Sequence, residues 1–234
     1  MGCPAVEFQD LGLMEYKAAW DYQTTLFQKV IDQKIYNRKN SASAVKTKNY
    51  LLFCEHPHVY TLGTSGSAEH LLISESILRN IGATYHKINR GGDITYHGPG
   101  QLVAYPIFDL DHFFSDIHKY LRYLEESVIL TLKEYGIIGG RIDGLTGVWI
   151  DIESSNPRKI CALGVKSSRW VTMHGIGFNV NTDLSFFDAI VPCGIKDKAV
   201  TSVEKELGKK VNILEIKEKL KVNLSNIFDF NYAK

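Results

Sequence analysis

The stretch "RGGDITYHGPGQLVAYPI", residues 90–107, sets four glycines and two prolines beside an arginine and a histidine. Runs at 84–89 and 101–108 flank it and read as strands, so the segment joins strand to strand. A phosphate-binding GxxxxGK[ST] loop or a dinucleotide GxGxxG loop opens a helix; here the spacing differs and no helix follows. The pair Gly91-Gly92 permits positive φ and close approach of backbone to a ligand, although a tight hairpin uses the same residues. Thr95, Tyr96, His97 and Gln101 add polar side chains around two turns, the makeup of one end of a cleft.

Upstream of this segment, Tyr16, Ala19, Trp20, Phe27, Val30 and Ile31 fall near helical spacing, which predicts an amphipathic helix over 14–35, followed by a polar loop at 37–48. "NYLLFCEHPHVYTLG" predicts a strand at 49–54, a break at Pro57 and a second strand ending at Gly63. A short helix is expected from Ser74 to Asn80, closed by Gly82, and a longer one from Ser115-Asp116 through Ile117, Leu121, Leu124, Val128 and Leu132 to a stop at Gly136. "VWIDI", "KICALGV" and "WVTMHGIGFNV" continue the sheet as strands. Thr201 with Glu204, and Asn212 with Glu215, have capping-box spacing and open two final helices. No composition shift, repeat or linker marks a boundary, so residues 1–234 are expected to form one α+β domain with a mixed β-sheet flanked by helices.

The 234 residues carry 27 basic and 26 acidic side chains for a formal net charge of +1, which gives no global field for nucleic acid or an anionic membrane. Residues 1–13 have neither the basic start nor the apolar run of a secretory signal, and no stretch approaches a membrane span, so a cytoplasmic location is the default expectation. Cys3, Cys54, Cys161 and Cys193 are scattered without a CxxC pair, which speaks against zinc and against a disulfide framework. His56 and His58 flank a proline, and two histidines without a third ligand make no metal site.

The opening segment resembles the signature of the octanoyl-[acyl carrier protein]:protein octanoyltransferases. "EHPHVYTLG" (55–63), "TGVWI" (146–150), "RKICALGVK" (158–166), "WVTMHGIGFNVNTDL" (170–184) and "VPCGI" (191–195) appear in that family's order, so the resemblance covers about residues 50–203. It implies the fold of the lipoate and biotin protein ligase catalytic domains. It also implies transfer of octanoyl from acyl carrier protein to a specific lysine of lipoyl domains, those of 2-oxoacid dehydrogenases or the glycine-cleavage H protein. Neither ATP nor metal is implied, because the donor is a thioester on the carrier's phosphopantetheine arm.

On its own a cysteine is most often a small buried hydrophobe and a lysine a solvated surface cation. The resemblance makes Cys193, in Pro192-Cys193-Gly194, the residue that carries the acyl group, and Lys159, at the head of "ICALGV", its catalytic partner. A free thiol near pKa ~8.5 is mostly protonated at neutral pH and needs a base or a nearby cation. An ammonium about 4 Å away favours the thiolate by up to roughly 4 kcal/mol at an effective dielectric near 20, and a desolvated neutral amine takes the proton directly; the sequence leaves both open. The resemblance further assigns acyl binding to Arg90, Gly91, Gly92, Asp93, Ile94, Thr95, Tyr96 and His97, to Ala162, Leu163 and Gly164, and to Gly175, Ile176 and Gly177, with His174 in support. Gly91, Gly92, Gly98 and Gly100 are expected to border the acyl tunnel, with Arg90, Tyr96 and His97 as its polar edge. Backbone N–H groups of 162–164 and 175–177 are expected to bind the developing oxyanion. Gly177 departs from the family, which more often has alanine there, and this loosens the expected acyl-length preference. Three alternatives stand beside this reading. An ATP-dependent lipoate-protein ligase shares the fold, but adenylate chemistry needs no thiol nucleophile. A transferase moving lipoyl groups differs only in donor. An inert lipoyl-domain binding module would have no use for both Cys193 and Lys159.

Overall fold

The computed structural model describes residues 3–191 and 199–233. In chain order these form β1 (Ala5–Leu13), α1 (Tyr16–Lys39), β2 (Asn49–Glu55), β3 (Val59–Leu62), α2 (Glu75–Asn80), β4 (Thr84–Lys87), β5 (Ile94–His97), β6 (Gln101–Ile107) and α3 (Ile117–Lys133). There follow β7 (Gly139–Ile142), β8 (Leu145–Ile150), β9 (Arg158–Ser168), β10 (Val171–Asn179), β11 (Ala199–Val200), α4 (Val203–Leu207), α5 (Ile213–Phe228) and β12 (Asn231–Tyr232). Among the described residues, nine strands make one mixed sheet, in the order β12-β1-β2-β6-β10-β9-β8-β7 with β11 also on β9, and three make a small sheet, β4-β3-β5.

The apolar runs in β2 and β6 follow from burial on both faces of the large sheet. Leu51, Phe53, Leu102 and Ala104 point to a core shared with α3 and α5, through Tyr120, Leu124, Val128, Ile216, Leu220 and Leu224. Their alternates Leu52, Cys54, Val103, Tyr105 and Ile107 point the other way, onto Ala19, Leu26, Phe27, Val30 and Ile31 of α1. Each such large side chain contributes about 1.5–3 kcal/mol by leaving water. The mixed sheet flanked by helices expected from the sequence is therefore the observed α+β architecture. No helix among the described residues is long and apolar enough to cross a membrane.

Several boundaries differ for physical reasons. Helix α1 continues to Lys39, past the expected end at 35. Strands β1, β5, β7 and β12 were not anticipated, being edge strands, short, or rich in glycine and polar residues, so their pairing rather than their pattern makes them strands. The cap of α4 is Ser202, whose side chain accepts from the Lys205 N–H, and not Thr201; Thr201 is buried, and its hydroxyl donates to Glu206 Oε1. Asn212 and Asp116 do cap α5 and α3, accepting from Leu214 N–H and Lys119 N–H, and Gly82 and Gly136 take the positive φ expected of them.

Candidate active site

A cavity of about 360 Å³ lies between the α1-side face of the large sheet and the small sheet. Gly177 of β10 pairs with Ala162 of β9, so the sheet floor there carries a single methyl group. A Cβ at Gly177 would stand 3.1 Å from Gln101 Oε1 and 3.4 Å from the His97 ring, inside the cavity. Thr95 and His97 of β5 form the opposite wall.

Lys159 lines the cavity because β9 carries a β-bulge. Val148 pairs with Cys161 and the next residue, Trp149, pairs with Lys159, leaving Ile160 as the extra residue. Ile160 and Cys161 consequently both enter the α3–α5 core, and Lys159 shares the cavity with Ala162 and Gly164. Its ammonium stands 4.6 Å from the centroid of the Trp149 ring. Beyond the end of β10, strand β11 takes over as the neighbour of β9: Val200 pairs with Lys159, and the Thr201 N–H donates to the Lys159 carbonyl at 2.9 Å.

The segment 90–93 packs against the sheet. Arg90 donates to the carbonyls of Gly91 (2.8 Å), Asp93 (2.7 Å) and Thr61 (3.2 Å), so its guanidinium staples this loop to β3. The Gly91 N–H donates to the Val165 carbonyl at 3.0 Å. Gly92 has φ +92°, which a side chain rarely adopts, and a Cβ on Gly164 would meet Arg90 Nη1 at 2.6 Å. The Asp93 carboxylate accepts from the Ile94 N–H and lies 2.6 Å from His70 Nδ1, while the His70 carbonyl accepts from the Val191 N–H.

At the other end stand Tyr16, Tyr105, His97 and His174. The Tyr16 ring is stacked on His97 at 6.0 Å and 8°. Burial pushes His97 down to about 3, helped by the charges of His56 and Arg90 against a weaker opposing bond from Gln101. Burial likewise pushes His174 down to about 3 and His56 to about 4. These imidazoles are therefore neutral at neutral pH and act as hydrogen-bonding groups, not as cations beside a thiolate. His174 sits mid-strand at φ +61°, a conformation costing about 1–3 kcal/mol, fixed by Asn89 Oδ1 on its Nε2 (2.9 Å) and by Gln23 Oε1 on its N–H (3.1 Å).

Of the residues expected to bind acyl, Arg90, Gly91, Gly92, Asp93, Ile94, Thr95, His97, Ala162, Leu163, Gly164, Gly175, Ile176 and Gly177 line this one cavity, with Lys159 and His174. Tyr96 does not. It alternates to the far face of β5, is fully buried, and bonds His58 Nδ1 through its hydroxyl at 2.7 Å while stacking on Phe186. The polar edge expected of Arg90, Tyr96 and His97 thus reduces to His97, with Arg90 as a staple. Gly98 and Gly100 are packing glycines outside the cavity lining: a Cβ would strike Tyr96 Oη at 1.8 Å and the Asn181 carbonyl at 2.4 Å respectively. Ile176 and Gly177 are paired on both sides, with β9 and β6, so their N–H groups serve the sheet ladder instead of the expected oxyanion. Cys193 lies outside the described residues. Of the other cysteines, burial pushes the thiols of Cys54 and Cys161 up, Cys3 is exposed with Sγ on the Asp229 carbonyl, and none lines the cavity.

Tyr16, Tyr105, Trp149, Phe187 and Val200 also line the cavity and were not singled out from the sequence. Each sits in an apolar pattern that reads equally well as core, so no local signal separates it.

An α+β fold in which Lys159 and the glycines Gly91, Gly92, Gly164, Gly175 and Gly177 line one cavity defines a pocket for a small, slender ligand. The family comparison narrows this: residues 15–225 match the lipoyl protein ligase A/B catalytic domain, and the chain belongs to that family. It is 60% identical to an octanoyltransferase of Cytophaga hutchinsonii, over 97% of this chain and 94% of that one, and 60% identical to an octanoyltransferase of Flavobacterium psychrophilum, over 96% and 97%. Among solved structures it is similar to a bipartite lipoate protein ligase of Thermoplasma acidophilum, with TM-score 0.72 at 18% identity over 99% of this chain and 86% of that one. A lipoate-protein ligase A bound with ATP gives TM-score 0.69 at 16% identity, over 100% and 88%. At these identities the structures speak for the fold.

Proposed function

We propose that octanoyl transfer by this chain runs through a thioester on Cys193, with Lys159 governing the proton of the thiol and of the attacking amine. The chain is an acyltransferase of protein lipoylation, as its near full-length similarity to octanoyltransferases indicates. The observation that carries the thioester reading is the bulge that turns Lys159 into the cavity, with the strand that follows Cys193 paired to it.

In the first step the Cys193 thiolate attacks the octanoyl carbonyl carbon of the donor, phosphopantetheine on acyl carrier protein. The new C–S bond forms, the donor C–S bond breaks, and the carrier leaves as a thiol with one proton. In the second, the neutral amine of a target lysine attacks the same carbon, the amide forms, and Cys193 departs, recovering a proton. Both steps exchange an activated acyl group, so neither ATP nor metal enters, and the chain works in the cytoplasm where carrier and acceptors meet. The acceptors are lipoyl domains of 2-oxoacid dehydrogenases and the glycine-cleavage H protein. From Ala162 to Val165 is three strand steps, roughly 10 Å, which suits an extended eight-carbon chain lying along β9 toward the neutral end.

Intact-protein mass spectrometry after mixing with octanoyl-acyl carrier protein, without ATP, tests this. An octanoyl mass gain in the wild type, absent in Cys193→Ala and discharged by a lipoyl domain, is the expected result. Amide product made only with ATP and free octanoate would overturn it and favour a ligase.

A further inference from the structure

Glu125 of α3 is fully buried, and nothing in the steps above uses it. Its Oε1 accepts from the Gly147 N–H and from Arg122 Nη2, both at 2.9 Å, and its Oε2 accepts from Arg141 Nε at 3.0 Å. Arg141 is itself held by the Arg122 carbonyl (2.9 Å) and Glu126 (2.6 Å). Gly147, in β8, has φ +133°. A Cβ there would stand 3.0 Å from the Cys161 carbonyl, 3.3 Å from Lys159 Cε and 3.4 Å from Trp149 Nε1. Bare backbone at Gly147 is thus the surface against which the Lys159 stem lies, and the carboxylate behind it fixes that backbone.

A buried carboxylate with two guanidinium partners is weak evidence for stability, because apolar residues of like volume often do as well or better. Stability alone therefore does not account for the cluster, and the Gly147 hydrogen bond, made by the backbone beside the Lys159 stem and Trp149, gives it a second role. We propose that Glu125 is a positioning residue: by holding Gly147 it sets the shelf under the Lys159 stem, and so where the amine stands in the cavity. This rests on the catalytic role of Lys159 given above.

Steady-state octanoyl transfer by the full chain, with a thermal melt of each variant, tests it. Misplacement by about 1 Å costs on the order of 100-fold, so Glu125→Ala is expected to lower kcat by about that factor while KM for the octanoyl carrier stays within about twofold. Glu125→Gln keeps an acceptor for the Gly147 N–H and is expected to lose less than about tenfold, since the hydrogen bond outlives the charge. A folded Glu125→Ala with wild-type kcat, a change in KM alone, or a Gln variant as slow as the Ala variant would each overturn the inference. Should Glu125→Ala fail to fold, Glu125→Asp keeps the charge among the arginines and draws the carboxylate back from the Gly147 N–H; a kcat loss at constant KM is expected, and wild-type kcat sinks the idea. Lys159→Ala separates the two levels. Full transfer in that variant removes the role of Lys159 itself, whereas an inactive Lys159→Ala beside an active Glu125→Ala removes only the positioning.

Discussion

At one end of the cavity Lys159 enters beside Trp149, over a backbone pinned by Glu125, Arg122 and Arg141. At the other, Tyr16, His97, His174 and Tyr105 meet as rings that burial keeps uncharged. The first end is anchored through charge and backbone hydrogen bonds, the second through stacking and desolvation. The division suits the proposed transfer, with a reactive acyl head and an inert tail: the amine stands at one end, while at the other the rings are uncharged and the Arg90 guanidinium is spent on backbone carbonyls.

The hardest blow to this contrast is expected from Lys159→Met, which keeps the stem and removes the amine. Transfer should fall by about 10³-fold, within the usual range for loss of a general acid–base group, with a melting temperature close to wild type. Rapid-quench transfer assays and calorimetry check the two halves of that statement.

The neutral end is tested by acid. His56, His97 and His174 have folded values of about 4, 3 and 3, below the ordinary 6.5. Above pH 6.5 neither folded nor unfolded chain protonates them, so their contribution there is complete. As pH falls below 6.5 the unfolded chain binds protons that the folded chain refuses, and stability drops until the folded values are reached. Three such groups give up to roughly 4 kcal/mol per pH unit in the lower part of that window. Urea unfolding at pH 7, 6 and 5 should show this loss; a stability independent of pH would mean that the rings are not held neutral.

A smaller effect is expected behind the wall. Tyr96→Phe removes the hydroxyl bonded to His58 and should cost about 1 kcal/mol of stability with no change in transfer, because Tyr96 faces away from the cavity. A loss of transfer without loss of stability would return Tyr96 to the site. Smallest of all is Gly177→Ala, whose methyl must fit 3.1 Å from Gln101 Oε1 and 3.4 Å from His97. A few-fold fall in the use of ten-carbon relative to eight-carbon donors is expected, in line with the modest discrimination that one methyl group provides. Competition between the two donors would measure it.

The histidines and lysine of the site were legible as residue types beside apolar runs, and only the family resemblance gave Lys159 a catalytic and His174 a supporting role. Local pattern could not say that His97 is neutral, since its value depends on what β10 and α1 lay over it. Nor could it say that Arg90 spends its guanidinium on the carbonyls of its own loop and of Thr61. Tyr96 and His97, adjacent in sequence, part company because a strand sends neighbours to opposite faces, and residues 94–97 become a strand only by pairing with β3. Glu125 carried no signal at all: in α3 it is one acidic residue among helical spacings, and only the folded arrangement places Gly147 and two arginines around it.

The amino-acid sequence by itself determined the two-faced strands, the amphipathic helices, most of their caps and the glycine-rich link between strands. These follow from side-chain period, burial and backbone freedom, which act over a few residues. The tertiary structure alone decided which faces meet across the cavity, that an extra residue at Ile160 turns Lys159 into it, and that a carboxylate 22 residues before Gly147 lies beneath its backbone. Such outcomes depend on strand register and on packing between distant segments, and no short window of sequence contains either.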